Sequence, residues 1–388
     1  MEKQNNNLFL NIFEKENGIP GYYESIYYPV DDVFLHTSDY IEEFLYPNIN
    51  DLLHVPFVPD YLKTKLKNED ELQLKIFHQQ KGYAADLSNF QDVESYLKSQ
   101  FKNNAKTIRR YVNRLESCFD IEYKLFYGQM DKNEYDQLLQ VLRSMIIQRF
   151  QQRNEQSKSL MEWERTVALT YPLILNKRSS IFVIYESGKP IEIAINYHFK
   201  QILFSYISSY DIDYAKFGLG HVEIYKQLEW CLKNNFNRFE MGWGDLDYKR
   251  RWSNHIYNFE QHLFYQKKSY PAKIKFKIKE LTIRAKLYLI SKNVHIHVRN
   301  LKKQLRPNKS SDPYTNYEII PVDNISLESD YIKIDHNKES FSFLRKIIND
   351  FLYSSVEHIA NVEVHCNQDT NTYIIKGLQH AQKVVLRN

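Results

Sequence analysis

The chain has 388 residues, of which 26% are charged and 43% hydrophobic, as in ordinary globular proteins. Its formal net charge is only +4, so the whole molecule is not built to neutralise a polyanion, and we expect no DNA partner. The three cysteines lie far apart without a CxxC pair, which favours a cytoplasmic location. The sequence contains no run of ~18 apolar residues, so we expect no membrane-spanning helix.

The pattern of apolar residues predicts an α/β (α+β) protein with four segments in chain order. Residues 1–100 are predicted to form an N-terminal α/β segment. Residues 101–266 follow as a core, whose order from Cys118 is predicted to be β-α-α-β-β-β-α-β-α-β. Residues 267–313 are predicted to be a basic helical segment and a linker, and residues 314–388 a small α+β module.

One stretch of the core, "YAKFGLGHVEIYKQLEW", places two of only ten glycines, Gly218 and Gly220, between a predicted strand and a predicted helix. Glycine lets a backbone approach a phosphate closely, and the start of a helix offers unpaired N–H groups. The pair could therefore hold a diphosphate, although a simple tight turn has the same pattern. The loop matches neither GxxxxGK[ST] nor GxGxxG, which excludes the two commonest nucleotide-binding loops.

Three stretches carry a resemblance to a known family: "GKPIEIAINYH", "LFSYISSYDIDYAKFGLG" and "RFEMGWGDLDYKRRW". Over about Phe101 to Gln266, the chain resembles the FemAB/cellulose-biosynthesis-type branch of the GNAT acyltransferase superfamily. The resemblance implies a GNAT fold, in which helices flank a mixed, mostly antiparallel sheet, with residues 1–100 as a degenerate second half. The usual loop of that superfamily begins with Arg or Gln, whereas this one has Ala215, with Lys216 beside it.

The resemblance also implies a donor and an acceptor. The donor would be acetyl-CoA or another acyl-CoA, with no metal, and its pantetheine arm would pair with "LFSYISS" where that strand separates from "RFEMGWG". The acceptor would be an amine or hydroxyl of a small molecule, or of a lipid- or sugar-linked precursor of the cell envelope. The residues implied to bind the donor are Ser208, Lys216, Phe217, Gly218, Leu219, Gly220 and His221.

Acyl transfer needs a base that takes the proton of the acceptor, a hydrogen-bond donor that stabilises the oxyanion, and an acid that protonates the leaving thiolate. Successive side chains of a strand point to opposite faces. In "RFEMGWG", Phe239, Met241 and Trp243 would therefore face the core, and Glu240 would face the cleft. Glu240 is therefore the first candidate base and Asp245 the second. Tyr248 could protonate the thiolate, and Lys249 could bind a phosphate or steady the oxyanion. The alternative is a solvated strand carboxylate at Glu240 and a helix N-cap at Asp245.

Acceptor-binding candidates lie on a strand and on a helix. Glu192, Asn196 and His198 share the polar face of "PIEIAINYHF" and could line the acceptor cleft, although a half-solvated sheet face has the same pattern. Arg110 belongs to a basic stripe that could bind an anionic acceptor or simply face solvent. The "HIH" at 295–297 offers only two ligands, too few for a metal site.

The segment 267–308 contains thirteen basic residues and a single acid, Glu280. A helix starting at Pro271 would be apolar on both sides, which predicts burial of both sides with the lysines at the rim. The alternative is a peripheral contact with an anionic inner-membrane surface. The basic charge would also suit a second function, aminoacyl transfer from charged tRNA. A third interpretation of the whole chain is a non-catalytic GNAT-fold binding or scaffold protein.

Overall fold

The computed structural model of the chain describes residues 7–15, 19, 22–29, 33–36, 52–67, 69–153, 157, 159–292, 317–322, 330–367 and 369–386. The predicted "HIH" pair, the basic residues after Lys292 and most of the predicted linker lie outside these residues. No helix of the described residues is both long and apolar enough to cross a bilayer.

Helices and strands are interspersed along the chain. The helices are α1 (Leu8–Glu14), α2 (Val93–Phe101), α3 (Ala105–Cys118), α4 (Lys132–Gln152), α5 (Trp163–Leu175), α6 (Leu219–Lys233), α7 (Asp247–Trp252), α8 (Tyr270–Ser291) and α9 (Arg345–Ser355). The strands are β1 (Tyr23–Tyr28), β2 (Val33–His36), β3 (Leu53–Pro59), β4 (Lys63–Leu66), β5 (Leu72–Asp86), β6 (Ile121–Phe126), β7 (Ser179–Glu186), β8 (Lys189–Phe199), β9 (Ile202–Tyr210), β10 (Arg238–Trp243), β11 (His255–Gln266), β12 (Tyr317–Pro321), β13 (Ile332–Ile334), β14 (Glu363–Asn367), β15 (Thr372–Lys376) and β16 (Ala381–Leu386).

The chain folds into two compact units, each assembled from three stretches of sequence. Unit 1 consists of Met1–Asn89, Tyr197–Ser205 and Asn235–Lys309, and unit 2 consists of Phe90–Asn196, Tyr206–Asn234 and Ser310–Asn388. The division of the sequence into four consecutive segments stays a prediction.

Unit 1 has a small sheet in the order β2-β1-β4, and a larger one in which the order is β3-β11-β5-β10-β9. The long strand β5 pairs antiparallel with β11 on one side and with β10 on the other. The pairing of β10 with β9 is parallel and is confined to Arg238–Glu240. Beyond Glu240, β10 and β9 no longer pair, so the two strands separate directly after this residue.

Unit 2 contains the predicted meander, in the order β9-β8-β7-β6, and a five-stranded sheet of the tail, in the order β12-β16-β15-β14-β13. Side chains of α3, β7, β8 and α6 share one hydrophobic core with α9 and the tail strands. The tail helix and strands predicted from the sequence are present. Together with the helices that flank it, the large, mostly antiparallel sheet confirms the predicted α/β architecture.

The prediction that both sides of the basic helix are buried is wrong. In α8, Ala272, Phe276 and Ile283 are buried, whereas Ile278 and Leu281 on the opposite side are exposed. Phe276 and Ile283 pack with Phe77 of β5 and Leu263 of β11. A sequence that is apolar on both sides does not reveal which side meets the sheet, and here only one does.

Candidate functional site

The glycine loop of unit 2 begins as a 3₁₀ turn at Ile212–Phe217 and ends at Gly218, directly before α6. Gly218 has a φ of +64°, in the left-handed region that favours glycine. A Cβ at this position would lie 2.9 Å from the ring of Tyr111. The fold itself therefore requires Gly218, as the tight-turn interpretation predicts.

Gly220 differs from Gly218, because nothing in the described fold requires a glycine there. It is the second residue of α6, so the expectation that both glycines precede the helix is wrong for Gly220. Apart from its chain neighbours and the backbone of α6, a Cβ on Gly220 would meet no atom of the described residues within 4 Å. A helical glycine costs ~1 kcal/mol relative to alanine. The N–H of His221 already donates to the Gly218 carbonyl at 2.7 Å, so the main-chain donors of this turn that have no acceptor in the described main chain are those of Leu219 and Gly220. The first turn of α6 is thus an open, positively polarised surface of main chain.

The other residues implied to bind the donor contribute in different ways. The side chains of Phe217 and Leu219 are buried in the core of unit 2, so only their main chains could meet a ligand. His221 is half-buried, and its ring stacks on that of Tyr111 at 5.6 Å between centroids. Ser208 of β9 is also half-buried.

Helix α9 of the tail braces the turn that leads to Gly218. The Asn349 amide donates to the carbonyl of Asp213 at 3.1 Å. The Arg345 guanidinium lies 3.5 Å from the carboxylate of Asp213. Lys216, which the sequence suggested as a donor ligand, donates to the carbonyl of Asp350 at 3.4 Å. The tail therefore holds the turn in place from outside the segment that carries the sequence resemblance.

A buried pair of carboxyl groups, Glu192 of β8 and Glu223 of α6, lies in unit 2. Neither oxygen of Glu192 has a hydrogen-bond partner among the described residues, and the nearby carboxyl of Glu223 disfavours ionisation of both groups at once. Burial is the largest cause that raises the pKa of both groups, and the like charge of Glu223 raises that of Glu192 further. Gln227 donates to Glu223 at 2.7 Å. Sequence reasoning missed Glu223, although it follows Gly220 by one helical turn.

The polar face of β8 does not line an open cleft, contrary to expectation. Glu192, Asn196 and His198 are all buried. The Asn196 amide donates to the Ser180 hydroxyl at 3.3 Å. Burial lowers the pKa of His198 to about 3, which keeps its imidazole neutral. Arg110, by contrast, is exposed on α3, as either interpretation of the basic stripe predicts.

Glu240 of unit 1 is buried at the point where β10 and β9 cease to pair, rather than facing an open cleft. Its Oε1 accepts the main-chain N–H of Gly242 at 2.8 Å. Arg238 Nη1 lies 4.0 Å from its Oε2. Burial raises the pKa of Glu240 to about 7, although Arg238 and the Gly242 N–H oppose the rise. Such a carboxyl can take up or release a proton near neutral pH, as a general base must.

Lys249 is also buried, and its ammonium binds the end of β10. Its Nζ donates to the carbonyls of Met241 at 2.6 Å and Trp243 at 2.5 Å. Burial lowers the pKa of Lys249 to about 8, although the charge of Glu240 opposes the effect. An ammonium has three N–H donors, so one donor is left beyond these two carbonyls. Lys249 therefore fixes the shape of the strand end and keeps a positive charge beside Glu240.

Asp245 and Tyr248 are exposed in unit 1. Asp245 accepts the Tyr83 hydroxyl at 2.6 Å and pairs with Arg250. These two partners lower the pKa of Asp245, so it is ionised near neutral pH and a weaker base than Glu240. The alternative in which Asp245 is an N-cap is wrong, because α7 begins at Asp247 with Leu246 as its N-cap.

The comparisons with known proteins support this interpretation of the core. Residues 102–250 match the family model described as an acetyltransferase (GNAT) domain, which confirms the resemblance seen in the sequence. No curated protein gives a significant sequence match.

The solved structures that are similar to the chain include three with the following matches. The first, a conserved protein of unknown function from Bacteroides thetaiotaomicron, is 10% identical with a TM-score of 0.35, and the match covers 50% of this chain and 63% of that one. The second, the C-terminal DUF2156 domain of an Agrobacterium fabrum protein, is 11% identical with a TM-score of 0.36, covering 49% and 61%. FemX is 7% identical with a TM-score of 0.39, covering 58% and 68%. The chain thus spans less than two thirds of the first two, and likenesses this weak carry no argument about chemistry.

Proposed function

Residues 102–250 belong to the GNAT acetyltransferase family, and on that premise we propose that the chain moves an acyl group from coenzyme A to an amine or hydroxyl acceptor. The transferase class follows from the family. The proposal has four finer parts: an acetyl group is transferred, coenzyme A is its donor, the acceptor is a small molecule or an envelope precursor, and the reaction takes place in the cytoplasm.

The observation that carries the proposal is the open first turn of α6. Gly220 has no Cβ, and outside its chain neighbours and the backbone of α6 no described atom lies within 4 Å of where a Cβ would stand. The N–H groups of Leu219 and Gly220 have no acceptor in the described main chain. A diphosphate fits this turn, because main-chain donors and the helix dipole both favour an anion. The N–H groups of Leu219 and Gly220 would hold the diphosphate of acyl-CoA, since those of Gly218 and His221 already donate to the carbonyls of Ala215 and Gly218. Acyl-CoA supplies an activated thioester carbonyl when bound.

Proton movement in the transfer is assigned to groups of unit 1. The Glu240 carboxylate would accept the proton that the acceptor nitrogen or oxygen loses, since its pKa of about 7 suits that task. The hydroxyl of Tyr248, an exposed residue, would supply the proton that the leaving thiolate gains. Lys249 would keep the end of β10 in shape, through its two carbonyl contacts, and offset the charge of ionised Glu240.

A second candidate base is the buried carboxyl pair Glu192–Glu223. The specific observations in its favour are that Glu223 lies on α6, one turn beyond Gly220, and that neither oxygen of Glu192 has a hydrogen-bond partner among the described residues. A carboxyl pair that holds one proton releases or takes it near neutral pH. The effects of replacing Glu240 and Glu192 on the rate distinguish the two bases.

The experiment is a thiol-release assay, in which purified full-length chain is mixed with acetyl-CoA and a panel of amines, amino sugars and alcohols. We expect thiol release that depends on the acceptor and that follows the concentration of the chain. Native mass spectrometry with coenzyme A gives a readout that needs no acceptor. Absence of both binding and release would contradict coenzyme A as the donor and would favour transfer from charged tRNA or a binding role.

A further inference from the structure

Helix α8 of unit 1 has a row of exposed apolar and aromatic side chains along its outer side. The two most central members, Ile278 and Leu281, are 62% and 66% exposed. The row consists of Tyr270, Ile274, Ile278, Leu281, Ala285, Tyr288 and Leu289. Projected at ~100° per residue, these positions fall within about one third of the helix circumference. They form one continuous stripe, which we call the outer stripe.

The outer stripe cannot be the side that attaches the helix to its own unit, because the opposite side already does so. Ala272, Phe276 and Ile283 are buried there, and Phe276 and Ile283 pack with Phe77 and Leu263. The buried carboxylate of Glu280 strengthens this attachment through an ion pair with Lys75 of β5. The helix is therefore held with a fixed rotation that presents the outer stripe to its surroundings.

Basic residues border the outer stripe on both sides. In the same projection, Lys275, Lys279 and Lys286 lie along one edge, and Lys273, Lys277 and Arg284 along the other. Glu280 is the single acid of the helix and is paired with Lys277 at 3.1 Å and Arg284 at 3.0 Å. The helix thus carries six basic residues against one acid, and four of them, Lys273, Lys275, Lys279 and Lys286, lie beside the stripe in addition to the two that pair with Glu280.

We propose that the outer stripe of α8 lies on an anionic lipid bilayer, with the helix parallel to the membrane plane. Apolar side chains would enter the acyl region, and the flanking lysines would reach lipid phosphates with their long stems. Tyr270 and Tyr288, near the two ends of the stripe, suit the headgroup level, where tyrosine rings are favoured. This inference does not depend on the transfer reaction.

Charge decides between a bilayer and a second copy of the chain. Two copies that met through this stripe would bring two sets of bordering cations together, and like charges oppose that contact. An anionic surface turns the same cations into favourable contacts, each strengthening binding about fivefold near the surface. The outer stripe and its basic borders are therefore complementary to an anionic bilayer and not to a second copy of the chain.

The test is co-sedimentation of the full chain with vesicles. Vesicles of phosphatidylcholine with phosphatidylglycerol are compared with vesicles of phosphatidylcholine alone, at low and at high salt. We expect the chain to pellet with the anionic vesicles at low salt and to be released at high salt, because ionic contacts near a surface are screened. A chain that stays in the supernatant with anionic vesicles at low salt, or pellets equally with neutral ones, overturns the proposal.

Matched variants locate the contact. The double variant Ile278→Ser, Leu281→Ser should lose vesicle binding, whereas Ile332→Ser, at an equally exposed strand position (66%), should not. Lys273→Gln with Lys286→Gln should weaken binding about fivefold per charge, and Lys98→Gln with Lys233→Gln should leave it unchanged. Circular dichroism melting verifies that each variant folds. Vesicle binding that survives the first double variant, or a lipid-free dimer that this variant dissociates, contradicts the bilayer assignment.

Discussion

The carboxyl of Glu240 accepts the main-chain N–H of Gly242 at 2.8 Å, although the Glu240 side chain is fully buried. This bond fixes the carboxyl just where β10 and β9 cease to pair. It also satisfies one oxygen in either protonation state, because a protonated carboxyl keeps its carbonyl acceptor. The group is thus held in place while it gains or loses a proton.

The first prediction concerns Glu240→Gln. Glutamine keeps the acceptor for the Gly242 N–H but cannot take a proton, so turnover should fall ~10²–10⁴-fold, with a melting temperature close to the parental one. Acceptor-dependent thiol release measures the rate. Glu14→Gln, which alters another buried carboxyl of unit 1, is the control and should retain activity.

Tyr248→Phe tests the acid in the same way. Removing an exposed hydroxyl on α7 should leave the fold unchanged and should slow turnover, provided that Tyr248 protonates the leaving thiolate. If both Glu240→Gln and Tyr248→Phe turn over at the parental rate, these two roles are wrong and the Glu192–Glu223 pair becomes the first candidate.

The pH dependence of stability gives a prediction independent of substrate. Burial raises the pKa of Glu240 from 4.5 to about 7, so between these values the folded state binds more protons than the unfolded state. The contribution of Glu240 to stability is therefore greatest below pH 4.5 and declines as the pH rises towards 7. Glu240→Gln removes this decline. Urea unfolding of parent and variant from pH 5 to pH 8 should show that the free energy of unfolding of the variant increases relative to that of the parent as the pH rises. Parallel pH curves would refute a raised pKa.

The third prediction separates the two glycines of the loop. Gly220→Ala should fold at least as well as the parent, because alanine is the better helix former, yet should bind coenzyme A more weakly by crowding the diphosphate. Gly218→Ala should instead lower the melting temperature, since its φ of +64° and the Tyr111 ring both disfavour a Cβ. Calorimetry with coenzyme A measures the affinity. An unaltered affinity of Gly220→Ala for coenzyme A would contradict the proposal that this turn binds the diphosphate.

The fourth prediction concerns the carboxyl pair of unit 2. Glu192→Gln replaces a group that has to keep or share a proton by one that can donate permanently to Glu223. Stability should therefore fall less steeply with rising pH in the variant than in the parent, because one raised pKa has been removed. Melting temperatures at pH 5 and pH 8 test this, with the exposed Glu164→Gln as control. A pH dependence equal to the parent's would contradict a raised pKa of Glu192.

The fifth prediction concerns the brace that α9 provides. Asn349→Ala removes the bond to the Asp213 carbonyl and should loosen the turn before Gly218, so coenzyme A affinity should fall although residue 349 touches no ligand. Ser354→Ala, on the same helix, removes a hydroxyl that bonds only within α9 and serves as control. Equal affinities in the two variants would limit α9 to a packing role.

Local patterns in the sequence predicted the features that depend on local chemistry. The meander, the glycine loop, the buried Phe239 and Met241, and the tail strands follow from alternation and turn residues. Glu223 was missed because a polar residue on a helix is buried only through a partner, Glu192, that is distant in sequence. The carbonyl contacts of Lys249 depend likewise on how α7 folds back on β10. Which side of α8 meets the sheet could not be predicted, since both sides are apolar.

Hydrogen–deuterium exchange of the full chain, with and without saturating coenzyme A, tests the central claim most directly. If the first turn of α6 holds the donor, the amides of Leu219 and Gly220 donate to its phosphates and exchange more slowly in the presence of coenzyme A, whereas those of α2 are unaffected. Coenzyme A that leaves exchange at Leu219 and Gly220 unchanged, while slowing it elsewhere or nowhere, would contradict the account.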